Sequence, residues 1–121
     1  MYCERMESVK TTYDEYGQLI AISGFLGRFA AVGLILPDGW FGKPYDNRLQ
    51  STSVTAEDGT ICILLDGDKL LSIRGQILLN VSEVSLAISG FTTLEWRWTP
   101  YGTNAGRVQS YSSGKLELVG F

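Results

Sequence analysis

The densest carboxylates of this chain are Glu57, Asp58, Asp66 and Asp68. Two such groups within about 10 Å could divide acid and base roles, as in glycoside hydrolysis. The residues between them oppose that use. Asp58-Gly59 and Asp66-Gly67 are hairpin dipeptides, because glycine supplies the positive φ that a tight turn demands, and the apolar run TICILL between them reads as a strand. At strand rise, its six residues (60–65) hold the two acidic turns about 20 Å apart. Asp66 and Asp68 begin like a calcium loop, but the remaining oxygen ligands and the closing Glu do not follow. A turn whose Asp side chains bond local amides accounts for them. Carboxylate hydrolysis would instead have to join Asp46 with Glu95 or Glu117 across the fold.

Nucleophilic chemistry has little to work with. The chain holds no histidine, which removes Ser-His-Asp triads, Cys-His pairs and His-ligated zinc. Ser112 and Lys115 match the SxxK spacing, but Ser113-Gly114 between them reads as a hairpin turn rather than the helical turn that would return the lysine to the serine. Cys3 and Cys62 are too few for a four-thiolate zinc site or a disulfide framework. Cys62, inside ICILL, reads as a small core residue and a free thiol. Phosphate-binding loops are absent: GFLGRF lacks the GK[ST] ending, and GxGxxG does not occur. No metal or cofactor is implied, and the chain reads as non-catalytic.

One stretch stands above background. LPDGWFGKPYDN, residues 36–47, sets Trp40, Phe41 and Tyr45 among turn-forming Pro, Gly and Asp. Loops are ordinarily polar, so three aromatics in six positions ask for a role. As a recognition surface, Trp40, Phe41 and Tyr45 would give apolar and stacking contact, while Lys43, Asp46, Asn47 and Arg48 would give directional polar contacts. In the alternative, Trp40 and Phe41 plug the mouth of a curled sheet. Trp96 and Trp98 share one face with Leu94, while Glu95 and Arg97 share the other. Core packing suits the indoles better than base stacking, which would come with a basic groove.

The elements that must position these groups follow from periodicity. Residues 1–32 form the helical part of the chain: Ile22, Phe25, Leu26, Phe29 and Ala30 fall on one stripe, Thr12 or Asp14 can cap the start, and Glu15 suits a first turn. Gly17, Gly24 and Gly27 weaken that helix, and a strand at Leu19–Ile22 with a shorter helix is the alternative. From Leu49 onward, alternation at Val84–Ile88, Leu94–Trp98 and Leu116–Leu118 gives strands. Residues 70–81 are either two strands or one bent strand with Gly75 at a bulge. The expected fold is α+β and mainly β: an antiparallel meander of seven or eight strands curling towards a roll or partial barrel, with one N-terminal helix packed on it. The chain reads as one domain: helical segment 1–32, aromatic loop 36–48 and meander 49–121.

With ten basic and thirteen acidic residues, the net charge is −3. Residues 1–48 and 49–121 carry five and six, then five and seven, so no basic stripe for nucleic acid emerges. The start MYCERMESVK is unlike a secretory signal, and the weakly charged stretch 19–37 is interrupted by Arg28 and three glycines. A cytoplasmic protein with no membrane partner is expected. A free edge at Leu49–Glu57 or Lys115–Phe121 could support a homodimer. The stretches LPDGWFGKPYDN and ISGFTTLEWRWTPYG resemble segments of short bacterial proteins of similar length, a resemblance that implies no active-site role. The expected function is binding, to a protein or small ligand, through Trp40–Asn47. The alternatives are an immunity-type protein that neutralises a toxin or enzyme, and the carboxylate hydrolase.

Overall fold

A computed structural model describes residues 9–11, 14–37, 48–99 and 104–121. In chain order the elements are β1 (Val9–Thr11), α1 (Glu15–Leu26), β2 (Val32–Ile35), β3 (Ser51–Glu57), β4 (Thr60–Leu65), β5 (Lys69–Val81), β6 (Ser85–Trp98), β7 (Arg107–Tyr111) and β8 (Lys115–Gly120). All described strand pairings are antiparallel.

The helix starts where its sequence dictates. The Asp14 side chain accepts the Gly17 amide at 2.8 Å, satisfying one of the donors that a helix start leaves unpaired. Gln18, Ile22, Phe25 and Leu26 are buried. The helix stops at Leu26, so the expected stripe runs on past its end: Phe29 is half-buried and Ala30 exposed. Leu19–Ile22 is helical, not a strand.

β3, β4 and β5 are joined by the two Asp-Gly turns. Asp58 and Asp66 each sit at φ 54°, followed by glycines at 79°, the paired positive φ that matches strand twist in a hairpin. β5 and β6 are the spine. The first half of β5 pairs with β4, and its last residues pair with β1. The first half of β6 pairs with β8 and the second with β7. Two five-stranded lobes therefore share the β5–β6 hairpin: β1-β5-β6-β8-β2 and β3-β4-β5-β6-β7.

The lobes meet at a crease. The β5–β6 register shifts around Gly75, which sits at φ 126° opposite Phe91, beside Gly90 at 79°. A Cβ on Gly75 would lie 2.7 Å from the Thr92 amide nitrogen, and one on Gly90 would lie 2.9 Å from the Gln76 carbonyl oxygen. Only residues without a side chain let the two backbones cross this closely while bending. Residues 69–81 are thus one long bent strand. On the neighbouring track, β7 and β8 both run antiparallel to β6 and do not pair with each other. Ser113-Gly114, expected as a hairpin turn, is instead the kink between two stretches of one track along β6, and Gly114 has φ 117°.

Bending folds the sheet into a half-barrel around a single core. Ile61, Ile63, Leu65, Leu71, Ile73, Leu94 and Trp96 line it from one lobe; Leu34, Leu79, Leu86, Ile88, Leu116 and Leu118 line it from the other; Ile22, Phe25 and Leu26 of α1 complete it. Trp98 packs partly buried beside Trp96, ring centroids 6.3 Å apart, in keeping with a packing role for the indoles. Cys62 departs from expectation. It points to the outer face of β4 and is half-buried, with its Sγ 3.9 Å from Ser72 Oγ. Val84 lies in the β5–β6 turn, 56% exposed.

Two short strands, β1 and β2, fall within or just after the expected helical third. β2 pairs with β8, so Lys115–Gly120 lies between β6 and β2 and is no free edge. β3 pairs with β4 on one side, and α1 runs alongside it: Glu15 accepts the Gly59 amide at one end, and Ser23, Gly27 and Ala30 face Ser51–Val54 at the other. Covering an edge with a helix is a common guard against unwanted strand pairing.

Candidate functional site

The half-barrel closes at one described point. Val32 and Leu49 exchange two backbone hydrogen bonds of 2.8 Å, which fix the downstream flank of the aromatic stretch to the start of β2. On the upstream flank Leu36 is buried, and Pro37 packs so closely on Gly114 that a Cβ there would lie 2.7 Å from the proline Cβ. On the downstream flank Leu49 is buried. Gln50 and Asp66 are doubly joined, the Gln50 amide donating to the Asp66 carboxylate and the Asp66 amide to the Gln50 carbonyl, each at 2.8 Å. Arg48 is exposed, its guanidinium 4.6 Å from the centre of the Phe121 ring, a contact of cation–π geometry. The Phe121 amide in turn donates to the Ala31 carbonyl at 2.9 Å. The β2–β8 register therefore sets the two flanks at opposite ends of β8: Leu36 and Pro37 beside the kink at Gly114, Arg48 and Leu49 beside Val32 and Phe121. Of the sequence-selected binding residues, Arg48 is placed there; Trp40, Phe41, Lys43, Tyr45, Asp46 and Asn47 lie outside the described residues.

No family model, curated protein or solved structure matches this chain. Its chemistry has to be read from its own residues.

The acidic turns stand at opposite ends of β4, as the hairpin reading requires. Asp66 and Asp68 are engaged locally: Lys69 lies 3.7 and 3.3 Å from their carboxylates. Glu95 and Glu117 are also apart. Glu95 pairs with Ser72 and Ser110, whereas Glu117 pairs with Ala87 and Ile35 in the other lobe. Ser112 and Lys115 flank the kink and share no helical turn. Among the described residues no three His, Cys, Asp or Glu side chains come together as a metal site, and no helix is long and apolar enough to cross a membrane.

Two recesses were not anticipated from the sequence. One, of about 280 Å³, lies between the end of α1 and the start of β3, lined by Ser23, Leu26, Gly27, Phe29, Ala30 and Ser51–Val54. The other, of about 260 Å³, crosses the outer face of β4, β5 and β6 and is lined by Thr60, Ser72, Arg74, Thr93 and Glu95. Cross-strand register assembles it: Thr60 lies opposite Arg74, Arg74 opposite Thr93, and Ser72 opposite Glu95. Polar residues at alternate positions of three strands were visible in the sequence, but polar alternation by itself says only that a face meets water. Which residues stand side by side depends on register.

Proposed function

We propose that the protein is a binding module whose contact surface is the stretch Trp40–Asn47 together with Arg48. One observation supports this above others: each flank of that stretch is anchored to the sheet, Leu49 by its paired bonds with Val32 and Pro37 by its packing on Gly114. The two anchors stand at opposite ends of β8, Pro37 against Gly114 and Arg48 against Phe121. Recognition segments work best when a scaffold fixes their ends, because less conformational freedom is then lost on contact. The composition of the stretch supplies what such a surface uses, namely large aromatic area beside polar groups able to fix orientation. A small ligand or a protein would be held by stacking and apolar contact, with Lys43, Asp46, Asn47 and Arg48 setting its register.

The test is the double variant W40A/Y45A, examined for folding and for binding. Removing aromatic side chains from a core costs about 3–5 kcal/mol each, whereas removing them from a contact surface leaves stability within about 1 kcal/mol. We expect the second outcome. An NMR screen of aromatic and amide fragments should also perturb the amides of Leu36, Gly114 and Phe121 in the native protein and leave them unmoved in the double variant. Loss of cooperative folding in W40A/Y45A, or fragment responses that survive in it, would overturn the proposal.

A further inference from the structure

The outer-face groove carries opposite charges that do not meet. Arg74 and Glu95 both line it, on adjacent strands and one diagonal step apart, a spacing at which long side chains can reach each other. They do not pair. Glu95 turns along its own strand to Arg97, with 3.3 Å between Oε1 and the guanidinium. The Arg74 guanidinium leans the other way, towards the β3–β4 turn: its Nη1 is 3.7 Å from where a Gly59 Cβ would stand, and a Glu15 carboxylate oxygen is 3.9 Å from the same point. None of the ion pairs among the described residues includes Arg74. Ser72 and Thr93 flank the diagonal between the two charges, and Thr60 lies on the far side of Arg74. Glu95 is two-thirds buried, with 32% of its side chain exposed, so its charge is only partly screened.

A groove of this kind discriminates by charge distribution. A simple anion can answer only Arg74, and a simple cation only Glu95. A short molecule with a carboxylate at one end and an ammonium at the other satisfies both poles, and its middle can hydrogen-bond to the hydroxyl floor. The volume, about 260 Å³, falls just short of the roughly 300–1,000 Å³ of pockets for drug-sized ligands, which suits a ligand of few heavy atoms. We propose that this groove binds a small zwitterion of the amino-acid class, its carboxylate on Arg74 and its ammonium on Glu95. The groove is open, so affinity is modest, with a Kd of about 1 mM.

The test uses the full chain labelled with ¹⁵N. Glycine and β-alanine are titrated to about 100 mM, well past the expected Kd, with acetate and methylammonium as the separate halves at matched ionic strength. The expected result is saturable movement of the Thr60, Ser72, Arg74, Thr93 and Glu95 amides with at least one zwitterion. Either half alone should bind at least about tenfold more weakly, the loss expected when one charge-assisted contact is removed. Arg74→Gln and Glu95→Gln should each weaken binding by a similar factor. Both sites are on the surface, so thermal midpoints should stay within about 2 °C of the native protein. Acetate binding as tightly as the zwitterions and indifferent to Glu95→Gln would mean a plain anion site and overturn the proposal. So would no saturable response at the groove, or responses confined to Leu36, Gly114 and Phe121.

Discussion

The crease at Gly75 is the feature on which the half-barrel most depends, and Gly75→Ala puts a number on it. Two costs add. At φ 126° an alanine occupies backbone space that L-residues rarely enter, a strain of about 1–3 kcal/mol. Its Cβ would also lie 2.7 Å from the Thr92 nitrogen and 3.1 Å from the Phe91 Cα. Both are backbone atoms of the pairing strand, which cannot swing aside as a side-chain tip can, so an overpacking cost of about 1–3 kcal/mol follows. The sum is about 2–6 kcal/mol, against a total stability of roughly 6–18 kcal/mol for a domain of this length. Gly67→Ala is the matched control. It stands at φ 79° with open space where a Cβ would go, so only the conformational cost applies, about 1–2 kcal/mol. Urea unfolding followed by tryptophan fluorescence and far-ultraviolet circular dichroism gives both values. The expected order is Gly75→Ala well below Gly67→Ala, with Gly75→Ala lowering the thermal midpoint by about 10 °C or more. If Gly75→Ala costs no more than Gly67→Ala, the close crossing of β5 and β6 is not what shapes the sheet.

Two further outcomes follow from the fold. Asp14→Ala removes the cap on α1, so stability should fall by about 1 kcal/mol in thermal unfolding, with faster hydrogen exchange at the Gly17 amide. Leu118→Ala empties a fully buried position of β8 between Leu34 and Leu86 and should cost about 2–5 kcal/mol in denaturant unfolding. The same change at Val119, half-buried on the opposite face, should cost far less.

Much of the architecture was legible because it is written in local chemistry. The Asp-Gly pairs determine their own turns, since both residues of each adopt positive φ whatever surrounds them. Alternation at Leu94–Trp98 and Leu116–Leu118 fixes which side chains face the core, because a pleated strand sends neighbours to opposite faces. The Asp14 cap follows from a short acceptor just ahead of an apolar-periodic run. The same locality explains the misreadings. Ser113-Gly114 has the composition of a hairpin, and only the partners of the flanking strands reveal that it bends one track along β6. β2 is four residues long, too short for a periodic signal, and it is a strand because β8 lies beside it.

For the candidate sites the division is sharper. The sequence by itself settled what chemistry is available: no imidazole, three aromatics packed into residues 40–45, and acidic pairs held in separate turns. Tertiary structure decided what those groups stand next to. Arg74 and Glu95 are twenty-one residues apart in the chain and become neighbours only through the β5–β6 register, and Leu49 meets Val32 only because the sheet curls back on itself. Side-chain identity and near-neighbour preference are properties of a few consecutive residues. Adjacency across strands is a property of the whole sheet, set by where three glycines allow it to bend.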